Sequence, residues 1–242
     1  MWINAIKWIA LAAAVTLSAC THVVPNEALK AEVVNTDKNL FEGWRHFLLP
    51  GKAATIYSFQ QQDGRRALTA RAGTSASIMR RDLNIAAADL EDLSFSWQVP
   101  QLIESADLAE RDLDDSPVRI VLTFEGDKSK FSAKNAMLSE LAQVMTGEPL
   151  PYATLMYVWC NKRPAESVVV NPRTDRIRSL VVESGKKNLR QWRDYKRNIR
   201  ADFKKIYGEK PGKLLSIAVM TDSDNTKTQI SAAYGELIFT KN

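Results

Sequence analysis

Cysteine and histidine are nearly missing from this chain of 242 residues, which has two of each: Cys20 and Cys160, His22 and His46. Two cysteines allow one disulfide at most, so the fold cannot be a disulfide scaffold. Two histidines, both near the amino terminus, leave most histidine triads, H-E-x-x-H zinc sites and histidine-rich metal clusters without residues. A hydrolase built on histidine is therefore not expected. The apolar run from Trp8 to Thr16 is about ten residues, short of the roughly twenty that cross a bilayer as a helix. Glycine-centred motifs also fail. Ser184-Gly185-Lys186-Lys187 is no phosphate loop, because Leu180 stands where the first Gly belongs and Lys187 where Ser or Thr belongs. Gly73-Thr74-Ser75-Ala76-Ser77 is no nucleophile elbow, because its fifth residue is Ser. No internal repeat and no low-complexity tract is visible.

What remains is ordinary globular composition, 45% hydrophobic and 25% charged, with chain enough for one sizeable domain. At its amino end, cationic Lys7 precedes the short apolar run, and small residues precede Cys20, the layout of a signal peptide over residues 1–19. Leu17-Ser18-Ala19-Cys20 resembles the bacterial lipobox, which implies that Cys20 carries lipid and becomes the first residue of the mature chain. Such an anchor holds a protein on a membrane unaided, because each buried methylene contributes about 0.8 kcal/mol and two lipid signals suffice. An ordinary secretory signal that happens to contain a cysteine is the plainer alternative. Thr21 rather than Asp after the cysteine favours, by the same resemblance, the outer membrane on its periplasmic side. With Cys20 lipidated, Cys160 has no partner within the chain, and its apolar surroundings make it a buried hydrophobe rather than a reactive thiol.

Residues 20–39 are polar and aperiodic, a tether, and the folded part is expected from Leu40 to Asn242. Short strand-like runs follow at Thr55 to Gln60, Ala67 to Ala72, Leu93 to Val99, Val118 to Phe124, Thr154 to Cys160, Val168 to Val170, Ile177 to Glu183, Leu214 to Thr221 and Ile230 to Phe239. Many short strands with few helices mean a sandwich or an open barrel. Ser132 to Thr146 carries Ala133, Ala136, Met137, Leu141, Val144 and Met145 at helical intervals and stops at Gly147, the pattern of an amphipathic helix. Lys196 to Tyr207, with Ile199, Phe203 and Ile206, reads as a second helix.

Two acidic stretches are candidate sites. Thr221-Asp222-Ser223-Asp224-Asn225-Thr226 could ligate Ca²⁺, through Asp222 and Asp224, or hold the hydroxyls of a sugar. It is no EF-hand, since Lys227 replaces the required Gly and Ala233 the bidentate Glu. A turn whose Asp and Asn side chains bond their own backbone has the same sequence. Asp114-Asp115-Ser116-Pro117 is ambiguous in the same way. Trp97, Trp159 beside Asn161, Trp192 beside Arg193, and Tyr234 could stack on sugar rings or pack in a core. Lys186 to Lys205 is rich in base. Arg193, Lys196, Arg197, Arg200 and Lys204 would share one face of a continuous helix, and with a net charge of +5 they favour anionic partners, unless they are simply a solvated surface.

Several phrases in order, Ala72 to Ser77, Asp114 to Arg119, Tyr157 to Asn161, Val182 to Gly185 and Met220 to Thr226, resemble the bacterial family known as domain of unknown function 3047, over roughly Leu40 to Phe239. The resemblance implies a mainly β, exported domain, a single jelly-roll-like β-sandwich with one or two short helices, similar to carbohydrate-binding modules and without an established activity. Matched to its phrases, the candidate ligand-binding positions are Asp115, Arg119, Trp159, Asn161, Ser184, Trp192, Asp222, Asp224 and Asn225. Cys160 departs from the small residue expected there. The function expected is non-catalytic binding of a carbohydrate or another, anionic, envelope polymer. A carboxylate-dependent glycan hydrolase or lyase, using Asp115, Asp222 or Asp224, is one alternative. A scaffold that binds a protein partner through the basic segment is another. Nucleic acid does not suit an exported, lipidated chain.

Overall fold

The computed structural model describes residues 41–90 and 92–240. The expected leader over residues 1–19, the lipid expected on Cys20, the expected tether over residues 20–39 and the outer-membrane address inferred from them lie outside the described residues. Phe41, the first described residue, is already part of the core.

In chain order the strands are β1 (Arg45–Leu48), β2 (Ile56–Gln62), β3 (Arg65–Gly73), β4 (Ser77–Ile85), β5 (Asp92–Gln98) and β6 (Ser116–Phe124). Helix α1 (Ala133–Thr146) precedes β7 (Ala153–Cys160), β8 (Val168–Val170), β9 (Ile177–Ser184) and β10 (Arg193–Asn198). Helix α2 (Ile199–Tyr207) leads to β11 (Leu214–Asp222), β12 (Gln229–Tyr234) and β13 (Ile238–Thr240). One sheet has the order β1-β4-β11-β6-β7-β9-β8, and the other β10-β5-β12-β3-β2 with β13 beside β5. Only the β7–β9 pair is parallel among the described pairings.

The sheets face each other as a β-sandwich. Period-two alternation puts Leu93, Phe95 and Trp97 of β5 on one inner face and Leu155, Tyr157 and Trp159 of β7 on the other, all buried. Phe95 stacks on Tyr157 at 5.7 Å between ring centroids, and Trp97 meets Trp159 at 6.5 Å. One contiguous core takes in these rings, Ile120 and Leu122 of β6, and Ile199, Phe203 and Ile206 of α2.

Three expectations change. The segment from Arg193 to Asn198 is a strand, because it pairs antiparallel with Leu93 to Trp97 and Asp92 of β5. The helix begins only at Ile199, where the Asn198 side chain caps it by accepting from the Ala201 backbone N–H at 2.8 Å. Arg193, Lys196 and Arg197 therefore do not share a helix face with Arg200 and Lys204. The run from Ile230 to Phe239 is two strands, broken at Gly235, where a Cβ would lie 2.1 Å from Ser96 Oγ. Helix α1 forms where its periodicity predicts, with Ser132 as N-cap and Gly147 as left-handed C-cap. Yet it turns Asn135 and Ser139 inward, and exposes Met137, Leu141, Val144 and Met145.

Candidate functional site

Five of the nine candidate positions meet in one buried knot at an end of the seven-stranded sheet. Arg119, on β6 and 3% exposed, donates from Nε to Asp222 Oδ1 at 2.9 Å and from Nη2 to Asp222 Oδ2 at 3.0 Å. The same Nη2 reaches Asp114 Oδ1 at 3.0 Å. Asp115 accepts from the backbone N–H of Asn225 and of Thr226, and from the Thr226 hydroxyl, so it fastens the loop after β11. Asn225 donates to the Arg111 carbonyl, and Asp224 pairs with Lys52. Burial pushes the Asp222 carboxyl up to about 7, Arg119 opposing and Asp115 and Asp114 adding to the rise. Arg119 itself is held charged, its pKa raised by Asp222 and Asp114 in spite of burial.

Oxygens of Asp115, Asp222 and Asp224 lie within 4.8 Å of one another, close enough to share a cation. Each carboxylate already receives donors from the protein: Asp222 from Arg119, Asp224 from Lys52, and Asp115 from Asn225 and Thr226. Asp115 and Asp222 are 2% and 3% exposed, so no sugar ring fits between them as a pair of acid and base flanking a cleft requires. The acidic turn and the acidic loop are two halves of one structural clasp.

The other four candidates disperse. Trp159 is a core residue whose indole donates to the Gly185 carbonyl at 3.0 Å. Asn161 donates to the carbonyls of Ile103 and Ala106, holding the loop before β6. Ser184 ends β9, opposite Cys160, which is buried among Leu108, Val158, Val169 and Val181. Trp192 alone stands at the rim of the six-stranded sheet.

That sheet carries a hollow that sequence reading missed. Strand register aligns Ser58, Thr69, Ala233 and Gln98 in one row across four strands, with Arg71 and Ser231 in the next. These residues, with Gln60, Gln62 and Pro100, line a cavity of about 230 Å³ on the sheet's solvent side. The tip of the β2–β3 hairpin borders the hollow, bonded to Gln98 of β5 and to Trp192. Its turn is Asp63-Gly64, both at positive φ (46° and 79°), the conformation that an Asp-Gly hairpin turn demands. The tip is latched at several points. Gln62 donates to Gln98 Oε1 at 3.0 Å, Gln98 to Asp63 at 2.7 Å, and the Trp192 indole to the Gln62 carbonyl at 3.1 Å. Arg65 forms a two-point ion pair with Asp194 and lies over the Trp192 ring at 5.2 Å. A second hollow, about 480 Å³, adjoins along β5 and is lined by Ser94, Ser96, Asp194, Lys196 and Glu236 among others.

Residues 42–238 match the family described as "Protein of unknown function (DUF3047)". The chain belongs to this family. No curated protein matches this DUF3047 chain. Among solved structures it is similar to the family 11 carbohydrate-binding module of the cellulosomal cellulase Lic26A-Cel5E of Clostridium thermocellum, at 8% identity and a TM-score of 0.40, over 83% of this chain and 89% of that one. It is also similar to the xyloglucanase domain of NopAA, a type three effector from Sinorhizobium fredii in complex with cellobiose, at 8% identity and a TM-score of 0.39, over 83% and 98%. At such values neither neighbour carries an argument about this DUF3047 protein's function.

The basic segment is largely consumed inside the DUF3047 domain. Arg197 bonds Asp202 and Glu166, Lys205 also pairs with Glu166, and Arg200 donates to the carbonyls of Ala88 and Leu90. Lys196 pairs with Asp92 and Arg193 with Glu183.

Proposed function

We propose that this protein is a non-catalytic module that holds a glycan, or a related hydroxyl-rich envelope polymer, along the solvent face of its six-stranded sheet. The observation that carries the reading is the latched hollow. Its walls and floor offer hydroxyls and amides that both donate and accept, in rows set by the strand spacing of about 4.8 Å, which suits the repeated hydroxyls of a sugar chain. The volume, about 230 Å³, is below the roughly 300–1,000 Å³ typical of drug-sized ligands. It suits one ring of a chain that continues along the open side over Ser94 and Ser96. Trp192 supplies an aromatic surface at the rim, and Arg71, exposed on the same face, favours a polymer that carries negative charge.

The reading includes an address. Lipid on Cys20 tethers the mature chain to the outer membrane, facing the periplasm. Labelled palmitate should enter the wild-type chain and not Cys20→Ser.

Polysaccharide pull-down and glycan-array binding test the site. Trp192→Ala and Gln98→Ala are expected to weaken retention about tenfold, in line with the roughly 1–3 kcal/mol lost when a buried polar group loses its partner. Gln60→Ala and Arg71→Ala should also weaken it, with the melting temperature unchanged. Retention unaffected by all four substitutions, or no binding to any polysaccharide, would rule the hollow out.

A further inference from the structure

Helix α1 is built inside out. Its buried residues are polar, Asn135 and Ser139: Asn135 donates to Asp175 at 2.6 Å and accepts from Thr174 at 2.8 Å. Its large apolar side chains face away, Met137 60% exposed, Leu141 51%, Val144 84% and Met145 56%. These four recur at the intervals of a single helix face, so they form a continuous stripe. A solvated helix gains nothing from such a stripe, which lies on the side of the helix opposite the buried Asn135 and Ser139; the buried Asn135 contacts hold the helix in this orientation.

From this we infer that α1 lies on a lipid bilayer, with its apolar stripe sunk among the acyl chains near the headgroups. Three observations choose the bilayer over other occupants. First, Lys128, Lys130 and Lys134, all exposed, stand at the amino end of the stripe, where they meet the phosphates of anionic lipids. Second, one helix of 14 residues is about 21 Å long, and four side chains along it fall well short of the roughly 1,000 Å² that a stable protein interface buries. Third, the sequence between the expected lipid on Cys20 and Phe41 is about twenty residues, which span up to ~70 Å when extended. Tethering converts a weak surface contact into an intramolecular one. This third argument rests on the lipid anchor proposed above, whereas the first two do not.

Placement gives the contact a purpose. The carboxyl end of α1 is fastened by Arg80, which holds Glu148 through two bonds of 2.7 Å. Arg80 follows the core residue Met79 and so points to the outer side of the seven-stranded sheet. The hollow opens on the outer side of the six-stranded sheet. A bilayer under α1 therefore leaves the hollow facing away from the membrane.

The test uses the chain from Thr21 to Asn242, which lacks residues 1–19 and Cys20 and retains every described element. It is floated with vesicles of phosphatidylethanolamine and phosphatidylglycerol, and with vesicles of phosphatidylcholine. The wild-type chain should float with the anionic vesicles. Joint replacement Met137→Ser, Leu141→Ser, Val144→Ser and Met145→Ser should lower partitioning about tenfold or more without lowering the melting temperature or polysaccharide retention. Lys128→Gln, Lys130→Gln and Lys134→Gln together should weaken binding to the anionic vesicles more than to phosphatidylcholine. Equal flotation of wild type and the serine variant, or no flotation of either, would overturn the inference. So would a wild-type dimer in light scattering that the serine variant abolishes, since a second copy would then cover the stripe. Loss of polysaccharide binding by hollow variants that still float would separate a failure of one site from a failure of the other.

Discussion

Arg119 holds a place where Asp115 and Asp222 have left water and Asp114 is partly buried, and its two bonds to Asp222 are the centre of that arrangement. Removing one partner of a buried ion pair leaves the other without compensation, a loss of about 3–5 kcal/mol. Arg119→Met should lower the thermal midpoint by that equivalent, read by circular dichroism. Added Ca²⁺ should recover part of it, because Asp222, one of the three carboxylates that could share a cation, would then lack its guanidinium partner. The pH dependence has two limbs. Asp222, pushed up to about 7 by burial, contributes stability that is present below its unfolded value of about 3.9 and lost as pH rises through 7. Glu166, held below its ordinary value by Arg197 and Lys205, contributes stability that is present above its unfolded value and lost as pH falls through the lowered one. Stability should peak in mild acid, and Asp222→Asn should flatten the alkaline limb; a wild-type midpoint that does not fall between pH of about 5 and 8 contradicts this. The acidic turn and loop stood out in the sequence as two sites. Their union through Thr226 and Arg119 did not, because the residues that join them are about a hundred positions apart.

At the scale of elements, strands were legible wherever β-branched or aromatic residues alternate, as in β5, β6, β7 and β11. Strand β10 escaped because its charged residues are satisfied by distant partners, and its place is set by pairing with β5 rather than by any pattern of its own. The hollow escaped for a different reason. Ser94, Ser96 and Gln98 alternate with Leu93, Phe95 and Trp97, which any solvated strand face would do. The hollow is bordered by the Asp63-Gly64 turn and the Arg65 to Asp194 latch. The turn is a hairpin signal visible in the sequence between two strands that were themselves legible, whereas the latch is non-local. Opening the latch with Arg65→Ala should raise hydrogen exchange in the β2–β3 tip and weaken polysaccharide retention, while the sandwich core stays protected. Close approach also governs the β6–β11 end of the sandwich. A Cβ on Gly212 would lie 2.1 Å from the Glu125 carbonyl oxygen, so Gly212→Ala should cost about 1–3 kcal/mol, measured by denaturant unfolding.

For the molecule as a whole, the two outer sides of the sandwich differ. One carries an apolar helix face and the other a polar, curled sheet, an asymmetry suited to a domain that sits between a membrane and a polymer. The order in which strands are laid into the sheets has a separate consequence. Strand β11 lies between β4 and β6, and β12 between β5 and β3, yet both come from the carboxyl end of the chain. Until those residues have been made, each sheet is split into unjoined pieces, and no closed core exists for the earlier strands to pack upon. A chain interrupted before Leu214 is expected to be not a smaller domain but an unfolded one, seen as loss of cooperative melting. During synthesis the polypeptide therefore stays a loose, strand-forming string until β12 has been made, and closes into a finished body only then.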